Sequence, residues 1–112
     1  MMKTYELLTD INMVHQFIKK HDLAFLFIST PNCSVCHALL PQIQQMLERF
    51  PKIKLALIDA HIVPEVAGEF SVFTAPVLLL FINGKEYIRE ARIVHTQLLE
   101  QKITKIYELL YE

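Results

Sequence analysis

The sequence predicts an α/β domain in which a mixed central β-sheet is flanked by helices on both faces. Three observations favour this fold class: strand and helix patterns alternate along the chain, several strand segments are apolar without interruption, and Asn83-Gly84 separates two extended segments. Strands connected through helices pair in parallel, whereas an Asn-Gly turn joins antiparallel strands. A sheet with both kinds of pairing, covered by helices, is therefore expected.

The predicted order of elements is β-α-β-α-β-α-β-β-α. Residues 23–28 and 77–82 are continuous apolar runs, which is the pattern of strands covered on both faces. Each long helix places apolar residues three or four positions apart. Pro41 lies inside the second helix and is expected to kink it. The predicted elements are a short strand at residues 5–8, a helix capped by Thr9 or Asp10 and ended by His21-Asp22, a strand at 23–28, a helix from Ser34 closed by Pro51, a strand at 54–59, a short helix at 64–70, strands at 77–82 and 86–93, and a C-terminal helix with its apolar stripe at Leu99, Ile103, Ile106 and Leu110.

Five phenylalanines occupy strand or strand-flanking positions, and all are predicted to lie in the hydrophobic core. These residues are Phe25, Phe27, Phe70, Phe73 and Phe81. The chain as a whole is 53% hydrophobic over 112 residues, so a single domain spanning residues 1–112 has enough apolar material for one core.

Charge and hydropathy narrow the expected partners and location. The net charge is −1 with acids and bases interleaved, so no basic surface for nucleic acid is predicted, and a monomer is expected. The longest apolar stretch, residues 75–82, is far shorter than the roughly 20 residues that span a bilayer. The first ten residues lack the apolar core of a signal peptide. We therefore expect a cytoplasmic protein with no membrane partner.

The two cysteines of the chain, Cys33 and Cys36, are separated by two residues. At this spacing one sulfur can attack a foreign disulfide while the other remains within reach to resolve the intermediate. In a cytosolic protein such a pair is typical of a catalytic or metal-binding site rather than of a structural bridge. A C-x-x-C pair between a strand and a helix is the pattern of thiol–disulfide oxidoreductases.

Other interpretations of the cysteine pair remain open from the residues alone. The two thiols could be inert and buried. A zinc site would need two further ligands, and no second C-x-x-C accompanies the pair. Residues 33–37 also have the C-x-x-C-H form of c-type haem attachment. The absence of a signal-peptide pattern and the strands predicted on both sides of the motif argue against haem.

Four local features resemble the thioredoxin family, and together they span essentially the whole chain. The run from Cys33 to Pro41 has the form C-x-x-C-x-x-x-x-P, and Ala75-Pro76 is similar to the family's cis-proline dipeptide. Residues 77–85 resemble the strand and turn that follow it, and residues 57–59 resemble the end of the central strand. The resemblance implies a thioredoxin-like fold.

The same resemblance implies roles for individual residues. Cys33, at the start of the second helix, would be the nucleophile because the helix N-terminus stabilises a thiolate, and Cys36 would be the resolving thiol. Ala75 and Pro76 would contact the substrate. Asn32, from its own position before Cys33, is expected either to contact the substrate or to form a turn with Pro31. Pro76 would also keep metals away from the sulfurs, so no metal is expected. The redox-active Cys33–Cys36 disulfide would act without any other cofactor.

The chain departs from the family pattern at several positions around this site. Asn32 replaces a tryptophan, and Ser34-Val35 replaces Gly-Pro. Ser34, Val35 and His37 are expected to tune the redox properties, Ser34 through a hydrogen bond from its hydroxyl to a sulfur and His37 through its charge when protonated. The other departures are Phe27 at the position of a buried acid, Leu55 near that of its lysine partner, and Ala91 at that of a glycine in the last strand. Without the acid, we expect resolution by Cys36 to be slower.

These observations predict a thiol–disulfide oxidoreductase that reduces disulfides in the cytosol. Its partners would be protein or low-molecular-weight disulfide substrates and a reductase or thiol electron donor. The alternative is a thioredoxin-fold binding module that holds a protein partner with little or no turnover. Retention of both cysteines favours the enzyme, whereas the missing tryptophan and acid favour the binding module.

Overall fold

The computed structural model describes residues 2–111, which form one five-stranded sheet and four helices. The strand order across the sheet is β1-β3-β2-β4-β5. The elements in chain order are β1 (Tyr5–Leu8), α1 (Ile11–Lys20), β2 (Leu23–Ser29), α2 (Ser34–Leu47), β3 (Lys54–Asp59), α3 (Glu65–Phe70), β4 (Val77–Ile82), β5 (Lys85–Ala91) and α4 (Thr96–Tyr111).

The sheet is mixed, which confirms the predicted fold class. β3 pairs in parallel with both β1 and β2, whereas β4 pairs antiparallel with β2 and β5. Phe27, in the middle of β2, lies opposite Leu57 on one side and Leu78 on the other. All six residues of β4 are buried, as its continuous apolar sequence predicted.

Successive side chains of β2 point to opposite faces of the sheet, and each face has its own hydrophobic cluster. Phe25 and Phe27 belong to the cluster beneath α2 and α4. Ala24, Leu26 and Ile28 belong to the cluster beneath α1 and α3. The helices therefore cover both faces, as expected.

The turns and helix ends follow local sequence preferences. Asp10 caps α1, and its side chain accepts a hydrogen bond of 2.9 Å from the Met13 N–H. Asn83 and Gly84 have φ values of 50° and 84°, so both adopt the positive φ that a tight hairpin turn requires. Pro41 lies within α2, and this helix ends at Leu47, before Pro51.

Three expectations about the C-terminal half were wrong. Phe73 lies in the loop between α3 and β4 and is 78% exposed, because the preceding Val72 takes the buried position instead. Leu110 is 45% exposed, because the contact of α4 with the core is made mainly by Leu99 and Ile103 nearer its start. β5 ends at Ala91, since Arg92 has a φ of 67° and leaves the extended conformation.

No helix between residues 2 and 111 combines the length and the apolar character needed to cross a membrane.

Candidate active site

Cys33 and Cys36 lie where β2 passes into α2, at the predicted strand-to-helix junction. After β2 ends at Ser29, the Cys33 N–H donates a hydrogen bond of 3.3 Å to the Thr30 carbonyl, which turns the chain towards the helix. Cys33 is the N-cap of α2 and has extended backbone angles, whereas Cys36 lies in its first turn. The two residues form a disulfide, with their Cα atoms 5.2 Å apart.

The start of α2 provides an electropositive environment for the Cys33 sulfur. The Cys36 N–H donates a hydrogen bond of 3.1 Å to Cys33 Sγ. No acidic residue lies in the first turn of α2 to offset the positive end of the helix dipole. A sulfur at this position is stabilised in its thiolate form after reduction, and the thiolate is the nucleophilic form of cysteine.

The two sulfurs differ in their access to solvent. Cys33 is half-buried, whereas Cys36 is only 2% exposed and packs in the same apolar cluster as Phe27 and Leu39. No polar or charged residue is buried in the part of the chain that the structure describes. A substrate can therefore approach Cys33, whereas Cys36 is surrounded by side chains that cannot accept a proton.

An open groove of about 740 Å³ runs beside Cys33, and most of the predicted site residues line it. Asn32, Ser34, Val35 and Ala75 line it together with Cys33. Pro76 follows Ala75 through a cis peptide bond and is buried. His37 is exposed on α2 and does not line the groove, so the structure places it apart from the other predicted residues.

The Ser34 hydroxyl does not contribute the predicted hydrogen bond in this oxidised form. Among residues 2–111, the hydrogen bond to a cysteine sulfur is the one that the Cys36 backbone N–H donates to Cys33 Sγ. Within the same residues, no cluster of three or more His, Cys, Asp or Glu side chains could hold a metal ion.

The groove is also lined by residues that the sequence analysis did not assign to the site, among them Phe73, Arg92 and Ile93. Phe73 comes from the loop before β4, and the other two follow β5. The Arg92 N–H donates a hydrogen bond of 2.9 Å to the Pro76 carbonyl, and this bond connects the loop after β5 to the loop before β4. From the sequence, Ala91 is matched to a glycine of the family's last strand. The residue with the left-handed backbone conformation that favours glycine is instead Arg92, whereas Ala91 is still part of β5.

The match to a known family agrees with this fold and site. A family model described as Thioredoxin matches residues 6–105, which include both cysteines and Pro76. The chain belongs to the thioredoxin family. Thioredoxin-like protein YdfQ of Bacillus subtilis is 54% identical over 108 residues, covering 96% of each chain.

More distant relatives extend the comparison. Thioredoxin-2 of Pyricularia oryzae is 30% identical over 79 residues, which are 70% of this chain and 46% of that protein. The crystal structure of thioredoxin from Trypanosoma brucei brucei superposes with a TM-score of 0.82 at 17% identity, covering 96% of this chain and 95% of the other. At that identity the superposition demonstrates a shared fold.

Family membership and the Cys33–Cys36 disulfide establish the chain as a thiol–disulfide oxidoreductase at the level of the family. Proteins of the thioredoxin family act on disulfide substrates with reductase partners.

Proposed function

We propose that this protein reduces disulfide bonds in protein substrates through a dithiol/disulfide cycle of Cys33 and Cys36. The observation that carries the proposal is the hydrogen bond from the Cys36 N–H to Cys33 Sγ at the N-terminus of α2. It supports a thiolate on the more exposed sulfur, where a substrate can meet it.

The proposed cycle consists of two thiol–disulfide exchange steps. The Cys33 thiolate attacks one sulfur of the substrate disulfide, forming a Cys33–substrate disulfide and releasing the other substrate sulfur as a thiolate. Cys36 then attacks Cys33 Sγ, so the Cys33–Cys36 disulfide forms and the second substrate sulfur leaves. The substrate gains two electrons and, on protonation, two protons. A reductase or thiol donor returns two electrons to the cysteine pair.

The other predicted residues have supporting roles in this cycle. Asn32, Ala75 and Pro76 contact the substrate beside Cys33. Between residues 2 and 111, no backbone hydrogen bond outside the regular elements involves Ala75, so its N–H and C=O are free to pair with an extended segment. Ser34, Val35 and His37 tune the potential of the pair. The cycle needs no metal or other cofactor, and it is assigned to a monomeric cytoplasmic domain of residues 1–112.

Because the surroundings of Cys36 are apolar, its proton must pass to solvent or to a leaving thiolate. Phe27 is fully buried in the cluster that contains Cys36 and offers no proton acceptor. This arrangement supports slower resolution than in a family member with an acid at that position.

The proposal is tested by trapping the intermediate with reduced Cys36→Ser protein and a disulfide-bonded protein such as insulin. We expect a mixed disulfide through Cys33 that survives denaturation and is released by dithiothreitol. Cys33→Ser is the matched control and should form none, since its remaining sulfur is buried. Absence of the adduct with Cys36→Ser, together with no reduction of insulin by the wild type, would favour the binding module instead.

The direction of the cycle is tested by equilibrating the wild type with glutathione. A reduction potential of about −270 mV would agree with a reductant, whereas one of about −120 mV would indicate an oxidant.

A further inference from the structure

The groove beside Cys33 contains a single charged side chain. Of the described residues that line it, Arg92 carries a formal charge, and the others are apolar, small, hydroxyl-bearing or amide residues. Phe73 and Ile93, which share the lining with Arg92, are 78% and 76% exposed. The lining of the groove is therefore mostly apolar, with four uncharged polar residues and one cation.

The Arg92 guanidinium has no anionic partner in the part of the chain from residue 2 to residue 111. The salt bridges formed there involve His15, Arg49, Arg89 and Lys102. A guanidinium has five N–H donors and no acceptor, and its planar fork matches a carboxylate. Arg92 is exposed, so these donors face solvent beside the cysteine pair.

The backbone holds Arg92 at this place. Its φ of 67° is uncommon for a residue with a side chain, and such conformations persist where the surrounding structure imposes them, often at functional sites. The hydrogen bond from the Arg92 N–H to the Pro76 carbonyl is the contact that fixes it here. The cation is thereby anchored next to the Ala75-Pro76 segment, where the backbone of Ala75 is free to meet an extended chain.

We propose that Arg92 selects protein substrates in which an Asp or Glu lies directly beside the disulfide cysteine in an extended segment. The substrate carboxylate pairs with the guanidinium while its cysteine meets Cys33, and neighbouring apolar residues contact Phe73 and Ile93. Charge complementarity supports this occupant, because the groove presents a cation and no described lining residue is acidic. The inference rests on the proposed reduction of protein disulfides and specifies which substrates are preferred.

The test uses three disulfide-bonded peptides that differ only in the residue beside the cysteine, which is Glu, Gln or Lys. Pre-reduced protein is mixed with each peptide, and the first turnover is followed so that no donor is needed. We expect the Glu peptide to react about fivefold faster than the Gln peptide and the Lys peptide to be slowest, which is the size of effect typical of an exposed ion pair. Added salt should reduce the difference.

Variants assign the preference to Arg92. In Arg92→Gln the rates for the Glu and Gln peptides should agree within twofold, whereas Arg92→Lys keeps the charge and should retain part of the preference. Lys85→Gln is the matched control, because it removes the same charge at the start of β5, at the other end of the sheet from Pro76. It should retain the full preference.

Three results would overturn the inference. Equal rates for the three peptides with the wild type would remove the selectivity while leaving the proposed reduction intact. Equal slowing of all three peptides by Arg92→Gln would mean that Arg92 acts on the cysteine pair and not on the substrate. If oxidised glutathione reacted as fast as the Glu peptide and with the same dependence on Arg92, the occupant would be a small anionic disulfide. Failure to reduce any peptide would instead contradict the proposed function itself.

Discussion

The interior of the sheet and the loops around Cys33 use the same apolar residue types in opposite ways. β2 buries six consecutive residues, and Phe25 within it has no exposed surface. In the loops, Phe73 and Ile93 keep about three quarters of their surface in solvent. Burying a large apolar side chain stabilises a protein by roughly 1.5–3 kcal/mol. Burial in the sheet stabilises the fold by this free energy. In the proposed function, burial of the loop side chains occurs only when a substrate binds.

The largest expected effect comes from truncating a phenylalanine in the sheet. Phe25→Ala should lower the free energy of unfolding by about 3–5 kcal/mol, because the lost contacts leave a cavity. Phe73→Ala is the matched loop variant and should change it by less than about 0.5 kcal/mol. Denaturant unfolding of both variants measures the difference. A similar loss in Phe73→Ala would mean that Phe73 packs against the core.

The same loop variant should show its effect in reduction kinetics. We expect Phe73→Ala to slow reduction of insulin about fivefold, equivalent to about 1 kcal/mol of lost apolar contact, while reduction of a small aliphatic disulfide changes little. Tyr87→Ala is the control, since it removes a 60%-exposed aromatic ring that does not line the groove. If Phe73→Ala and Tyr87→Ala slowed insulin reduction equally, the groove would have no special role in binding the substrate.

A smaller effect should distinguish the backbone at residue 92 from that at residue 91. Arg92→Gly should be about 1 kcal/mol more stable than Arg92→Ala, because glycine adopts a positive φ without steric cost. Ala91→Gly should instead destabilise the protein by roughly 0.5–1 kcal/mol, since residue 91 is extended in β5. Thermal unfolding of the three variants provides the comparison, and the reverse order would place the left-handed position at residue 91.

The smallest effect concerns pH and the end of the sheet opposite the cysteines. His21 packs edge-on against Phe17, and burial lowers its pKa below the usual 6.5, assisted by Lys20 and Lys54 and opposed by Glu6 and Asp22. The unfolded chain then binds more protons than the folded one between the two pKa values. Stability should therefore rise with pH through the window just below 6.5 and be lost on acidification.

The measurement is the free energy of unfolding between pH 5 and pH 8 for the wild type and His21→Gln. Replacement of His21 should flatten the dependence in that window. An unchanged slope in His21→Gln would assign the pH dependence to other groups.

Much of the fold could be predicted because local and tertiary preferences agree. The bounds of β3 and β4 match the apolar runs, and the Asn83-Gly84 turn is encoded by residues that tolerate positive φ. The cysteine pair was placed correctly at the strand-to-helix junction, since a C-x-x-C motif between an apolar run and a helical pattern leaves few alternatives.

The remainder of the site could not be read from the sequence because it depends on which loops meet. Phe73 looks like a core residue beside a strand, and its exposure follows only from the path of the chain between α3 and β4. Arg92 carries no local sign of positive φ, because the residue that usually marks such a position is glycine. Its role becomes visible through the hydrogen bond to the Pro76 carbonyl, a contact between segments 16 residues apart.

The unequal exposure of the two sulfurs has a consequence for steady-state kinetics. In the proposed cycle, an electron donor reaches the oxidised pair at Cys33, the sulfur that the substrate also needs, because Cys36 is only 2% exposed. Donor and substrate therefore cannot occupy the protein together and must alternate. In a reducing cycle this arrangement gives ping-pong kinetics, with parallel double-reciprocal plots, and makes each reactant a competitive inhibitor of the other at high concentration.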